Sequence, residues 1–498
     1  MNRNQLVENA VNILKISQLK GHNFVGGSWE TEHSEEKSEH EPWGHSAIYD
    51  YHEPSEELID KTVDGACAAF VSWKSTTVEK RLEILGRFAK LIGENKDLLS
   101  HIVAIESGKL LWEAEQEISV LGSKVDATKA AFDERASNIT ADTGTPAISV
   151  ETEFKPLGVC VVLGPYNFPM HMMNGQIIPA LLTGNTVICK PSEFGILSAT
   201  AYTRIMQQAG IPDGVFNLLV GGPAVGETLV QHDKTDAVYF TGSASTGEAI
   251  RVSCAKKNKK CAIEAGGNSV LIVDSFQDVD KAVETCIQST LWSAGQRCNC
   301  ARHLLVTKKA LEDGFLDKYI EAVSSIVPAS EIDDSNGFYG VLRNERDKSR
   351  LLSHVENLIE LGATILHGTS NQGHLGKCSM TPVILQSKID DLVCQDEYMG
   401  PVVQVRIYDD VESAVSWANK IELRLTAGIL TTSDTVKSKF RRDIEFGNLT
   451  VNCPTAFASG YASFGGLGNS GNFEPAGFLA VDFCVTGVSH FVSNDVDS

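Results

Sequence analysis

Between residues 158 and 274 one pattern repeats: a short apolar, β-branched run, a small or turn-forming residue, then a helical stretch. The runs are GVCVVLGP (158–165), NTVICKP (185–191), VFNLLVGG (215–222), AVYFTGS (237–243), KKCAIEAGG (259–267) and SVLIVD (269–274). A strand that is apolar along its whole length, rather than at alternate positions, is covered on both faces. The helical segments between the runs supply that cover. The pattern therefore calls for an α/β fold built on a parallel sheet. Several runs end in Gly, Pro, Ser or Thr, at the carboxyl ends where open α/β sheets take ligands.

A second block of the same kind spans about 274–482. It holds ARHLLVTK (301–308), a helix expected over 311–327, PVVQVRIYD (401–409), TAGILTTS (426–433) and GNLTVNC (447–453). Helical spacing also marks 79–95 and 113–135, whereas 138–158 is extended. The acidic stretch 30–57 predicts an exposed loop or hairpin. An amphipathic surface helix is expected at the N-terminus. The tail FCVTGVSHFV (483–492) is a strand with no neighbour in its own region, which suggests exchange between subunits. A chain of 498 residues is expected to form two or three domains.

Charge narrows the function. Lys and Arg total 43 against 64 Asp and Glu, a net charge of −21. Such a field repels phosphate backbones and anionic lipid, so neither nucleic acid nor a membrane is expected as a partner. No apolar window approaches the length of a transmembrane helix. The twelve cysteines lie mostly among apolar residues, as Cys160, Cys189 and Cys484 do, and read as reduced thiols of a cytoplasmic protein.

The segment SAGQRCNCARH (293–303) departs from that rule, because Cys298 and Cys300 lie in a polar, glycine-containing stretch. A reactive thiolate needs such surroundings or a positive neighbour. No further ligands stand at metal-binding spacing, so no metal site is expected. Glu264, ahead of two glycines in IEAGGNS, is either a satisfied structural carboxylate or a general base. Asn167, in the turn GPYNFP, is either a turn residue or an amide donor to an oxyanion.

Six segments appear in a telling order: GPYNFP, GNTVICKPSE, FTGSASTG, EAGGNS, GQRC and EYMGPV, with Cys298 placed 34 residues after Glu264. Together they resemble the aldehyde dehydrogenase superfamily over about residues 24–490. Within it, GPYNFPMHMMNGQIIPALLTGNTVICKPSE, SAGQRCNCAR and FGGLGNSGN are most similar to the branch that oxidises N-succinylglutamate 5-semialdehyde. The chain departs from that branch at Asn299, Gln176 and Met399 and in the loop VNCPTAFASGYASFGG.

The resemblance implies an aldehyde dehydrogenase-like α/β fold with an N-terminal extension (1–20) and an NAD-binding domain (21–137 and 159–263). A catalytic domain (264–482) and a small β oligomerisation flap (138–158 and 483–498) would complete it as a homodimer or homotetramer. It implies Cys298 as nucleophile, Glu264 as base and Asn167 as oxyanion donor. It also implies NAD, rather than NADP, held by Lys190, Ser192, Glu193, Gly242, Ser243, Gly247 and Glu397. Phe168, Lys124 and Arg302 or His303 are candidates to line a path for a carboxylate-bearing aldehyde. Another semialdehyde or a medium-chain aldehyde is the alternative substrate. A cofactor-independent cysteine hydrolase pairing Cys298 with His171 or His303 is the alternative of another class. A reversible Cys298–Cys300 disulfide is a further expectation, set against the strain of so small a ring.

Overall fold

The structure is a computed structural model that describes residues 22–30, 36–44, 46–142, 144, 148–372, 376–388 and 397–493. The N-terminal extension and its expected helix lie outside the described residues.

Among these residues the first sheet comprises β1 (Asn23–Val25), β2 (Ser28–Glu30), β3 (Val159–Leu163), β4 (Thr186–Lys190), β5 (Phe216–Leu218), β6 (Ala237–Gly242) and β7 (Lys260–Ala265). Their order is β7-β6-β3-β4-β5-β1-β2. β3 to β7 are parallel, and β1 and β2 close one edge as an antiparallel pair. All five residues of β3 and of β4 are buried, as strands covered on both faces require. The chain leaves β3 in one direction for β4 and β5, then returns past it to β6 and β7. The order thus reverses between β3 and β6, where a crevice opens at the carboxyl ends of the strands.

The second sheet comprises β8 (Ser269–Val273), β9 (Ala301–Thr307), β10 (Thr364–His367), β11 (Val383–Gln386), β12 (Val402–Tyr408), β13 (Thr426–Leu430) and β14 (Asn448–Val451). Its order is β10-β11-β12-β9-β8-β13-β14, parallel except for β10 at one edge. β7 and β8 are close in sequence yet belong to different sheets, so residues 266–268 cross between the two sheets. Among the described residues no helix is long and apolar enough to cross a membrane.

Three expectations change. The tail strand, Val485–Ser493, has its neighbour within the same chain: it pairs antiparallel with Ile148–Pro156, which pairs in turn with Ile139–Ala141. The helix expected over 311–327 is two helices, Lys308–Glu312 and Phe315–Ser324, broken where Gly314 adopts φ +81°. The acidic stretch does form a hairpin, Glu36–His40 with Ala47–His52, but two of its carboxylates are buried. Glu39 accepts the Leu197 N–H at the start of the helix Ile196–Gln208, beside Glu106, while Glu41 accepts the N–H groups of Trp43, Gly44 and Ser46. Backbone N–H groups at a helix start and in a tight turn draw these carboxylates inward, and Glu39 shares the Leu197 N–H with Glu106, which takes the shorter bond at 2.7 Å.

Candidate active site

Cys298 lies in the short loop between the 3₁₀ turn Trp292–Gly295 and β9. Ser293 and Ala294 adopt φ of 54° and 55°, and Gly295 follows at φ 70°. Left-handed backbone at two residues bearing a Cβ costs roughly 1–2 kcal/mol each, so the turn is held by its surroundings rather than by local preference.

Glu264 sits near the carboxyl end of β7, with Oε1 at 4.0 Å from Cys298 Sγ. Asn167 stands in the turn after β3, and its Nδ2 donates to the Gln296 carbonyl at 3.0 Å. That bond ties the β3 turn to the cysteine turn and leaves the second amide hydrogen of Asn167 uncommitted to it. Three elements distant in sequence thus converge, one from each side of the switch point and one from the second sheet.

Burial, with nothing opposing it, pushes the Glu264 carboxyl from its ordinary 4.5 up to about 8, and its Oε2 has no hydrogen-bond partner in the protein. Desolvation, then Glu264 and Glu397, push the Cys298 thiol well above its ordinary range, while Arg302 pulls weakly the other way. The preceding Arg297 is turned to other partners. Its guanidinium packs over the Trp292 and Phe168 rings and donates to Ser293 Oγ. Cys300 is buried with its Sγ directed at the Trp292 carbonyl, and both cysteines are free thiols.

A cleft of about 780 Å³ opens at the switch point, lined by Lys190, Ser192, Glu193, Gly242 and Ser243 and also by Cys298, Glu264 and Glu397. Glu397 approaches because Gly266 has no side chain: a Cβ there would lie 2.3 Å from Glu397 Oε2. Burial raises the Glu397 carboxyl to about 7, opposed by Arg302 and the Gly267 N–H, and its Oε1 has no hydrogen-bond donor. An unsatisfied buried acceptor beside a dinucleotide-sized cleft fits the hydroxyl of a ribose. Ser243 caps the helix Ala244–Lys256, accepting the Thr246 N–H, so the amino end of that helix faces the cleft and suits an anion.

Four expected ligand residues stand elsewhere. Gly247 does not border the cleft; a Cβ there would lie 2.7 Å from Ile263 Cγ2, so it serves close packing of helix on strand. Lys124 is buried and donates to the Gly477 carbonyl at 2.7 Å. Arg302 donates to the Arg297 carbonyl and stands 3.9 Å from Glu397, which makes it a support for that carboxylate. His303 is buried beside Arg406 and Trp417, and burial together with Arg406 holds it neutral. A fifth, Phe168, expected along the substrate path, is not among the residues that line the cleft; its ring instead carries cations from Lys109 at 3.6 Å and Arg297 at 5.4 Å.

Sequence reasoning missed Tyr166, Arg343 and Asp347, which also line the cleft. Arg343 lies between the Tyr166 and Phe194 rings at 4.2 and 4.3 Å and pairs with Asp347. Only the Arg343-x-x-x-Asp347 spacing hinted at a helical ion pair. Met399 also borders the cleft, its sulfur 3.5 Å from the Tyr166 hydroxyl, filling the place where the resembled pattern has phenylalanine.

Two parallel sheets meeting over a cysteine, a carboxylate and an amide, beside a dinucleotide-sized cleft, define a class. The chain belongs to the aldehyde dehydrogenase family, whose model matches residues 29–486, and it is an oxidoreductase of that family. Family members use NAD(P) and act on small aldehydes. It is similar to the N-succinylglutamate 5-semialdehyde dehydrogenases of Burkholderia mallei (strain SAVP1), 36% identical over 465 residues, and Paraburkholderia xenovorans (strain LB400), 36% over 466 residues; each match covers 93% of this chain and 94% of the relative. Among solved structures it resembles succinate-semialdehyde dehydrogenase from Burkholderia pseudomallei, with a TM-score of 0.90, 28% identity and coverage of 96% and 98%. It also resembles lactaldehyde dehydrogenase from Escherichia coli, with a TM-score of 0.88, 27% identity and coverage of 94% and 98%.

Proposed function

We propose that this chain oxidises an aliphatic semialdehyde, N-succinylglutamate 5-semialdehyde first among the candidates, to the carboxylic acid, with NAD as oxidant. The observation that carries the reaction is the convergence of Cys298, Glu264 and Asn167 on one border of the cleft. The candidate substrate rests on the relatives that match over 93% of the chain.

Cys298 attacks the aldehyde carbon as its proton passes to Glu264, the acceptor 4.0 Å away. The carbonyl oxygen becomes an alkoxide held by the free Asn167 amide hydrogen and the Cys298 N–H. When bound, an oxidised nicotinamide would supply the hydride acceptor, and Cys298 would be left holding the carbon as a thioester. Once Glu264 has passed that first proton to bulk solvent, it draws a proton from water, which attacks the thioester; the tetrahedral adduct expels the sulfur, which takes the proton back from Glu264 as the acid is released. Glu397 and Ser243 are the residues that would hold the ribose and the pyrophosphate. No histidine is hydrogen-bonded to Cys298 among the described residues, which tells against the hydrolase alternative that pairs Cys298 with His171 or His303.

Lys190 contacts the cleft with two carboxylates in its field, Glu193 and Glu53. Glu53 is paired with Lys37 at 2.7 Å, so the carboxylate a 2′-phosphate would meet there is Glu193, whose charge favours NAD. Glu193→Gln is expected to raise kcat/KM for NADP by about tenfold with little change for NAD. Steady-state rates with both cofactors check this, and an unchanged preference would move the selectivity elsewhere. The three-stranded sheet exposes Ile139, Ile148, Phe491 and Val492, which supports its use as a flap between subunits.

A panel of aldehydes tests the substrate: NADH formation should be at least about tenfold more efficient with N-succinylglutamate 5-semialdehyde than with neutral aldehydes of equal length. Equal efficiencies would overturn that substrate and leave the reaction class standing.

A further inference from the structure

The helix Leu111–Ser119 carries Glu113 and Glu117 four residues apart, hence on one face. Neither belongs to the cleft, and both side chains are fully buried. Glu113 Oε1 accepts the Ser293 N–H at 2.8 Å and the Ser293 hydroxyl at 2.7 Å, within the left-handed turn that leads to Cys298. Glu117 Oε1 accepts the Met170 and His171 N–H groups, each at 3.1 Å, immediately after Asn167 and Phe168. Each carboxylate has its own buried cation: Lys109 at 2.6 Å from Glu117 Oε2, and Arg297 at 3.8 Å from Glu113. Those two cations share the Phe168 ring. The four charges cancel in pairs, and the ring joins the pairs.

From this arrangement we infer that Glu113 and Glu117 are positioning residues: one helix sets the distance between the nucleophile turn and the oxyanion turn. A helix is a rigid spacer, and two carboxylates one turn apart register two loops that also meet through the Asn167–Gln296 bond and the Arg297–Phe168 contact. The strained conformation of Ser293 and Ala294 persists because Glu113 over-determines it. This inference rests on the proposed roles of Cys298 and Asn167.

The test uses Glu117→Asp and Glu113→Asp, which keep the charge and shorten the reach by one carbon. Glu117→Asp should slow first-turnover NADH formation by about 10- to 100-fold through misplacement alone. Its effects on KM for NAD and on alkylation of Cys298 by iodoacetamide should stay within about twofold. In an Asn167→Ala background the same substitution should cost less than about twofold, because the group it positions is gone. Glu113→Asp should slow both alkylation and the first turnover. Equal fold-losses from Glu117→Asp in the two backgrounds would overturn the inference, since a merely structural role loses the same in both. Should Glu117→Asp not fold, Glu117→Gln is compared in the same two backgrounds. An Asn167→Ala enzyme with wild-type speed would instead overturn the oxyanion role, a failure visible before any glutamate is changed.

Discussion

Cys298→Ala is expected to lose NAD-linked aldehyde oxidation by about 10⁴-fold or more while still binding the cofactor. The reason is chemical. Without the sulfur no thiohemiacetal forms, and the remaining groups can only polarise a carbonyl whose hydrate must form unaided. The substitution is small, and Cys298 borders an open cleft, so the fold should tolerate it. Dinucleotide titration by fluorescence, together with NADH production, separates the two effects. Turnover near that of the wild type would remove covalent catalysis from the mechanism. Alkylation of the wild-type thiol should accelerate with rising pH beyond the range of an ordinary cysteine, because desolvation and the neighbouring carboxylates disfavour the thiolate.

Glu264→Gln is expected to divide the reaction. Gln cannot take a proton from water, so release of the thioester should slow by about 10²- to 10⁴-fold. Hydride transfer precedes that step, and a first-turnover burst of NADH close to one per active site should remain at high pH, where solvent base can ionise Cys298. A lost burst at every pH would assign Glu264 to another step. In the wild type the same carboxyl, raised to about 8, makes deacylation rise with pH through that value. Stability moves the opposite way. The folded carboxyl keeps its proton to about pH 8, whereas the unfolded one loses it near 4.5, so the native state is progressively disfavoured as pH rises between those values. Glu264→Gln abolishes that dependence, and its Tm should exceed that of the wild type more at pH 8 than at pH 5. Calorimetry at the two pH values measures the difference.

Much of this was legible in the chain itself. Buried parallel strands are largely apolar along their length, so the segments that became β3, β4, β6 and β8 announced themselves without neighbours. Cys298, Glu264 and Asn167 were joined as a set only by the resemblance of six ordered segments to one family; singly, Glu264 and Asn167 read equally as structural residues. The supporting residues were not legible. Glu113 and Glu117 look like the polar face of an amphipathic helix, and their burial depends on loops 53 to 180 positions away. Lys124 and Arg302 stand outside the cleft lining for the complementary reason: each donates to a backbone carbonyl outside its own strand or helix ladder, a contact no local pattern displays.

Local pattern therefore determined the elements and the class of fold, since those depend on side-chain type and on periods of two to four residues, while the order of the motifs pointed to the family. Only the tertiary structure decided what keeps Cys298 in place and how its proton is held. Those depend on which distant groups share a low-dielectric pocket, and sequence separation carries no measure of that distance or that dielectric.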